Sequence, residues 1–304
     1  MSRPEGFRRL RLISAAIGLS MATLSVACAA DTALLDGRAS YPEGPLFVGD
    51  TLFVAEMGAD RVSAYQAGKK RTFFQMPGCG PTAIAPYREG YVVLCHLAGE
   101  LAVIDRAGAL KEEIGAGVLR DPNDGYADAA GGVYFSDPGI FSKDSTPQGL
   151  IYRLAPDGRL QRVADGLWYP NGVYVDAAEN SVYVSETFAR KVWRYDIGEG
   201  GALTNKRLFA DIDAIAPKSR FKYAEAGPDG LERDPATGEM IVSIYGEGRL
   251  LRIDRGGALK GEIKVPTQYE TNIAFGAPGA VVVGAHDNVN PPLRGEVRWW
   301  RKAP

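Results

Sequence analysis

The chain has 304 residues, 45% of them hydrophobic and 24% charged, with 35 basic against 37 acidic side chains. That composition is one of a globular protein with a substantial core, and it excludes a disordered or low-complexity chain. No basic stripe is available to follow a nucleic-acid backbone, so nucleic acid is not an expected partner.

From the N-terminus, Arg3, Arg8, Arg9 and Arg11 precede an apolar run over 12–27 that ends in small residues. This is the pattern of a secretory signal peptide, cleaved after Ala29 or Ala30, and the run is short for a retained membrane span. The remainder, 30–304, is expected to form a single domain, acidic by about five charges, exported to the periplasm or medium without stable membrane insertion. Secondary readings are twin-arginine export, from Arg8 and Arg9, and lipid anchoring through Cys28. The oligomeric state is left open.

Beyond the leader, short β-branched and aromatic runs recur at 51–55, 61–65, 91–95, 100–104, 132–136 and 150–154. They continue at 172–175, 181–185, 191–195, 240–244, 249–253, 280–284 and 296–300, with Gly, Pro, Asp and Asn punctuating the intervals. These are predicted strands. No amphipathic helix of three turns competes, so the class is all-β. The segments GGVYFSD, NSVYVSE, GEMIVSI and GYVVLCH align, each followed by a second strand of the GRLLRID type, in units of roughly 40 to 58 residues. About six units fit, which predicts a six-bladed β-propeller. A β-sandwich does not explain the recurrence. Residues 33–39 are expected to add a strand to the last blade, otherwise built from 272–301, because a ring must close to protect its edges. The stretches 141–148 and 211–226 read as loop insertions. Cys79 and Cys95 flank a strand and a turn, and the pair is left open between a disulfide and two free thiols.

The chemistry is narrowed by what is missing: the sequence has no GxSxG, HExxH, P-loop or dinucleotide fingerprint, and its two histidines cannot build a histidine cage. What recurs instead is an acid or amide in a turn-like motif before a strand: Glu43 in YPEGP, Asn123 and Asp124 in DPNDG, Asn171 in YPNG and Asp229 in GPDG. Any one of these is a good turn former. Four in the same relative place of a cyclic repeat converge on one axis and offer oxygen ligands to a hard cation, Ca2+ first, with Mg2+, Mn2+ and Zn2+ as alternatives. Which of Asn123 and Asp124 turns inward is open at this level. His286 at the start of a late loop, and Tyr245 and Trp168 beside strands, are candidates to face the same mouth. His96 is open between that role and packing.

The motifs PEGP, PNDG, YPNGVYVD, VYVSET and GPDGLERD, in this order, resemble the regucalcin, gluconolactonase and luciferin-regenerating-enzyme family over nearly the whole chain after the leader. The segments VSET and RKVWRYDI, with the later SIYGEGRLLRIDRGG, are similar to its bacterial drug-responsive lactonases. The resemblance implies a six-bladed propeller that hydrolyses lactones with one divalent cation at the axis. By motif match the ligands are Glu43, Asn171 and Asp229, with Asn123 near both cation and substrate. Sugar-lactone members of the family carry an Arg two residues before the Asn matching Asn123. Here Asp121 holds that place and Arg120 lies one step back, so Arg120 as a substrate clamp conflicts with the alternation of side chains along a strand. In the implied mechanism the cation polarises the lactone carbonyl and activates water, and Asp229 orients or deprotonates that water. The alternative function is an exported, metal-containing propeller acting as a non-catalytic binding or scaffold module.

Overall fold

The computed structural model describes residues 31–217, 226–276, 279–288 and 293–301, whose strands form six four-stranded antiparallel sheets. The innermost strands are Pro42–Val48, Pro81–Tyr87, Gly125–Ala127, Pro170–Asp176, Gly227–Arg233 and Tyr269–Gly276, and each lies beside the next around a closed ring. This is a six-bladed β-propeller. The expected leader lies outside the described residues.

The middle strands of each blade are sandwiched between neighbouring blades, which is why they read as continuous apolar runs rather than alternating ones. Ser181–Glu186 and Met240–Tyr245 are buried along their whole length. Between the second and third blades the filling is Leu94, Leu101, Val133, Phe135 and Leu154. The outermost strands are different. Lys69–Gln75 and Leu110–Ile114 are mostly exposed and carry charges at successive positions, so they lack the pattern by which the other strands were found. They form because the third strand of each blade otherwise leaves a row of unpaired backbone groups.

The sixth blade is composite, as the sequence predicts. Asp31–Ser40 runs antiparallel to Arg294–Arg301, with Ala33 opposite Trp299 and Ser40 opposite Arg294, and forms the outer edge of the sheet whose inner strand is Tyr269–Gly276. The expected insertion at 211–226 begins with one helical turn, Ile212–Ile215, capped by Asp211. Cys79 and Cys95 form a disulfide. It ties the segment entering the second inner strand to the end of the adjoining strand, and in the chain-entropy model a loop of this length is worth about 3 kcal/mol.

One expectation is corrected. The PEG, PNG and PDG motifs are not turns; they are the first residues of inner strands, each followed by a β-bulge that shifts the register between Glu43 and Leu46, Pro170 and Val173, and Pro228 and Leu231. The sharp change of direction lies one residue earlier, at Tyr41 (φ 49°) and Tyr169 (φ 60°), both in the left-handed region. Such a backbone costs roughly 1–3 kcal/mol at a non-glycine residue and persists only where its surroundings enforce it. The bulge, which lies at or beside the axial residue, locally re-aims the strand's side chains.

In five blades the residue before the hub position is Pro42, Pro81, Pro122, Pro170 or Pro228; in the sixth it is Glu270. This carboxyl is fully buried and neither oxygen has a hydrogen-bond partner among the described residues. Burial, reinforced by the nearby charge of Glu296, pushes its pKa far above the ordinary glutamate range, against the opposing pull of Arg298. A group with a raised native pKa keeps its proton in the folded chain at pH values where the unfolded chain has released it. Its contribution is therefore present below about pH 4.5 and is lost as pH rises. Glu270→Gln removes this loss: its melting temperature should nearly match the wild type near pH 4.5 and exceed it increasingly toward pH 8. A melting-temperature difference independent of pH would contradict this account.

Candidate active site

The bulged inner strands bring Glu43, Asn123, Asn171 and Asp229 into one cavity of about 320 Å³ at the strand-entry end of the hub, with Thr82, Tyr169 and Tyr245 also in its lining. The hub residue of the remaining blade is Thr271, whose hydroxyl lies 2.7 Å from the Pro42 carbonyl and within reach of the Glu43 carboxylate. Acids and amides were the signal followed in the sequence, so the two threonines went unnoticed. The Pro-Thr pair at 81–82, in the same place as Pro-Glu and Pro-Asn, was the clue for one of them.

Two contacts hold these residues at the axis. The first is backbone approach. A Cβ on Gly172 would lie 2.3 Å from the Asp229 carbonyl oxygen and 2.9 Å from the Gly230 Cα, so only glycine lets these inner strands come this close. The second is a repeated serine relay. Ser136 Oγ donates to the Asn171 carbonyl in the next blade (2.6 Å) and accepts from Asp124 N–H (3.1 Å). One blade on, Ser185 Oγ donates to the Asp229 carbonyl (2.6 Å) and accepts from Gly172 N–H (2.7 Å). The serine of VYFSD and VYVSE thus fixes the backbone of an axial residue in the following blade.

Inside the cavity Asn123 Nδ2 donates to Asn171 Oδ1 at 2.7 Å. Burial drives the carboxyl pKa values of Glu43 and Asp229 well up, and the acids add to this through repulsion: Glu43 feels Asp229 and Asp124, and Asp229 feels Asp124. Asp124 itself turns away from the cavity. Its carboxylate accepts from Val173 N–H and Gly125 N–H, both at 3.0 Å, and burial raises its pKa to about 6. It lines a second cavity toward the opposite end of the hub, together with Glu232. Asn123, not Asp124, therefore faces the cavity that holds Glu43 and Asp229.

The other sequence candidates are distributed unevenly. Tyr245 is in the cavity wall, its hydroxyl 2.8 Å from that of Tyr41. His96 is also in the wall, with Nδ1 3.1 Å from the Asp121 carbonyl. Arg120 is elsewhere: its exposed guanidinium holds Gln148 through the backbone oxygen (2.8 Å) and the side chain (3.3 Å). The reason is local, since the Asp137 carboxylate accepts from Asp121 N–H (2.7 Å) and fixes this segment with Arg120 facing outward. His286 pairs with Glu296 (3.0 Å) outside the cavity, and Asn288, two residues on, is in the lining instead. Trp168 stands behind the wall, against Phe188.

Residues 41–281 match the model of the SMP-30/gluconolactonase/LRE-like region. The chain belongs to this family. Similar relatives within it include lactonase drp35 of Staphylococcus haemolyticus, 26% identical over 75% of this chain and 70% of the relative. The gluconolactonase of Zymomonas mobilis is 30% identical over 56% of this chain, and pentonolactonase XacC of Haloferax volcanii 32% identical over 51%. Those two alignments span about half of each relative (49%). Among solved structures, a calcium-binding protein, regucalcin, from Agrobacterium tumefaciens superposes with a TM-score of 0.72 at 21% identity, over 88% of this chain and 93% of that one. A luciferin-regenerating enzyme gives 0.69 at 18%, over 88% and 94%. At these identities the likeness to the family's solved structures is one of fold.

The relay has an internal control. Ser243 occupies the corresponding strand position in the fifth blade, yet its buried hydroxyl has no hydrogen-bond partner among the described residues. Ser185→Ala strands two buried backbone groups and is expected to cost about 1–3 kcal/mol. Ser243→Ala should cost less than half as much. Urea unfolding of both variants measures the difference, and equal losses would remove the relay from the account of the hub.

Proposed function

We propose that the protein hydrolyses the ester bond of a lactone ring in the hub cavity, with a divalent cation held by Glu43, Asn171 and Asp229 and with Asn123 beside it. The observation that carries this reading is the meeting of two carboxylates and two amides from four blades in one cavity, within a family whose similar relatives are named lactonase, gluconolactonase and pentonolactonase.

The residues fit a cation. Two carboxyls that repel one another in a desolvated site are stabilised most directly by a positive charge between them, and the available donors are oxygens, as calcium and magnesium prefer. Among the described residues no group of three or more His, Cys, Asp and Glu side chains is placed to bind a metal, and the donors in this cavity are two carboxylates with amides. Ca2+ is the first choice, and the regucalcin neighbour is itself described as calcium-binding; Mg2+, Mn2+ and Zn2+ are the alternatives. When bound, the cation supplies Lewis acidity toward the lactone carbonyl oxygen, where negative charge develops.

The chain's own residues do the rest. Asp229 orients a water molecule toward the carbonyl carbon, takes its proton as the new C–O bond forms, and returns that proton to the ring oxygen as the ring C–O bond breaks, leaving a hydroxy acid. A carboxylate that touches a cation is a weak base, so this role rests on the placement of Asp229 in the cavity more than on its basicity. Asn123 fixes the orientation of Asn171 through their amide contact. The leader pattern and the Cys79–Cys95 disulfide support export into an oxidising compartment such as the periplasm.

Purified protein should open simple lactones with added calcium, lose activity to a chelator and regain it on recalcification. Asp229→Asn should lower kcat by at least ~100-fold while circular dichroism stays native. A folded, calcium-loaded protein that turns over no lactone would favour the non-catalytic binding module instead.

A further inference from the structure

The cavity floor is polar, but the walls above it are not. Tyr41, Met57, Phe141, Tyr169 and Tyr245 all line it. Phe141 is the centre of the aromatic group: its ring lies 4.9 Å from Tyr169, 5.3 Å from Phe188 and 5.7 Å from Tyr245. It belongs to the inserted loop that follows the strand Val133–Asp137, and this loop is tied to the propeller where Trp168 Nε1 donates to Ser145 Oγ (3.3 Å).

The apolar surface continues to the lip. Phe141 is 39% exposed, while Ile140, just before it, and Leu97, which follows the cavity residue His96, are each 64% exposed. Exposed large apolar side chains beside a cavity mouth are a contact surface for something apolar. The polar groups that would recognise a ring of hydroxyls are largely committed elsewhere. Tyr41 and Tyr245 bond to each other, Thr82 Oγ1 donates to the Asn123 carbonyl (2.7 Å), and the Asn123 amide donates to Asn171. Among the described lining residues there is no Lys or Arg, and Arg120 is engaged with Gln148.

Building on the lactonase reading, we propose that the substrate is a lactone bearing an apolar arm, an alkyl chain on the ring that lies along Phe141 and leaves past Ile140 and Leu97, rather than a polyhydroxylated aldonolactone. The ring carbonyl sits on the acid and amide floor, and the arm occupies the aromatic wall. A polyol in this position would leave several hydroxyls desolvated without partners, which is the stronger form of discrimination. Specificity on this account resides in Phe141 and the lip, while the chemistry resides in the hub.

The test is a series of γ-lactones with alkyl arms from methyl to hexyl, assayed beside glucono-1,5-lactone on the purified protein with saturating calcium. The value of kcat/KM should rise roughly fourfold for each of the first few methylenes and exceed that for glucono-1,5-lactone. In Phe141→Ala, kcat/KM for the hexyl substrate should fall at least ~10-fold further than for the methyl one, a loss of the size expected when an apolar arm loses its pocket. A flat alkyl series, or preference for glucono-1,5-lactone, would overturn the apolar-arm proposal and leave the lactonase reading standing. Absence of turnover on every lactone, sugar or alkyl, would overturn both.

Discussion

The site depends on how closely the inner strands approach one another at the axis. Where Gly172 faces the Asp229 carbonyl there is no room for a methyl group, and Ser185 closes the same contact with one hydroxyl bonded to both strands. The propeller places an axial side chain by first fixing the backbone that bears it, using the neighbouring blade as the template. Acids and amides more than 180 residues apart in the chain, from Glu43 to Asp229, are thereby held in one cavity without any direct bond between their side chains being needed.

The arrangement stores electrostatic work. Glu43 and Asp229 stand where each ionised carboxylate raises the free energy of the other, and Asp124 adds to it from just beneath. Stability alone would favour apolar residues here, as it does everywhere between the blades. The left-handed backbone at Tyr41 and Tyr169 is a second cost borne at the same place. Local strain and mutually repelling carboxylates, both concentrated around residues that share a cavity, are the physical marks of a functional centre.

Much of this was legible in the chain. The strands packed between blades announced themselves because burial on both faces demands apolar runs, and the Pro-x-Gly motifs marked the hub because proline enters the inner strand and glycine permits its neighbour's approach. Outer strands such as Lys69–Gln75 were not legible, since this one is shaped by an exposed edge in need of pairing and not by its own residues. Thr82 and Thr271 escaped because a search for ligands passes over hydroxyls. The outward turn of Arg120 agrees with the strand alternation read from the sequence, and the contact between Asp121 and Asp137 that fixes it joins residues sixteen apart. Of the aromatic wall only Tyr245 was legible, because Phe141, Tyr169 and Tyr245 meet only once three blades are assembled.

The composite sixth blade ties the two ends of the polypeptide to the site. Glu43 follows directly on the strand Asp31–Ser40, whose partner is Arg294–Arg301, and Tyr41 N–H is held by the Leu293 carbonyl at 2.7 Å. The position of the first axial residue is therefore set by a segment far along the chain. A chain without that segment can carry every acid and amide of the centre and still leave Glu43 unanchored, so integrity of the sixth blade is a condition of competence at the hub.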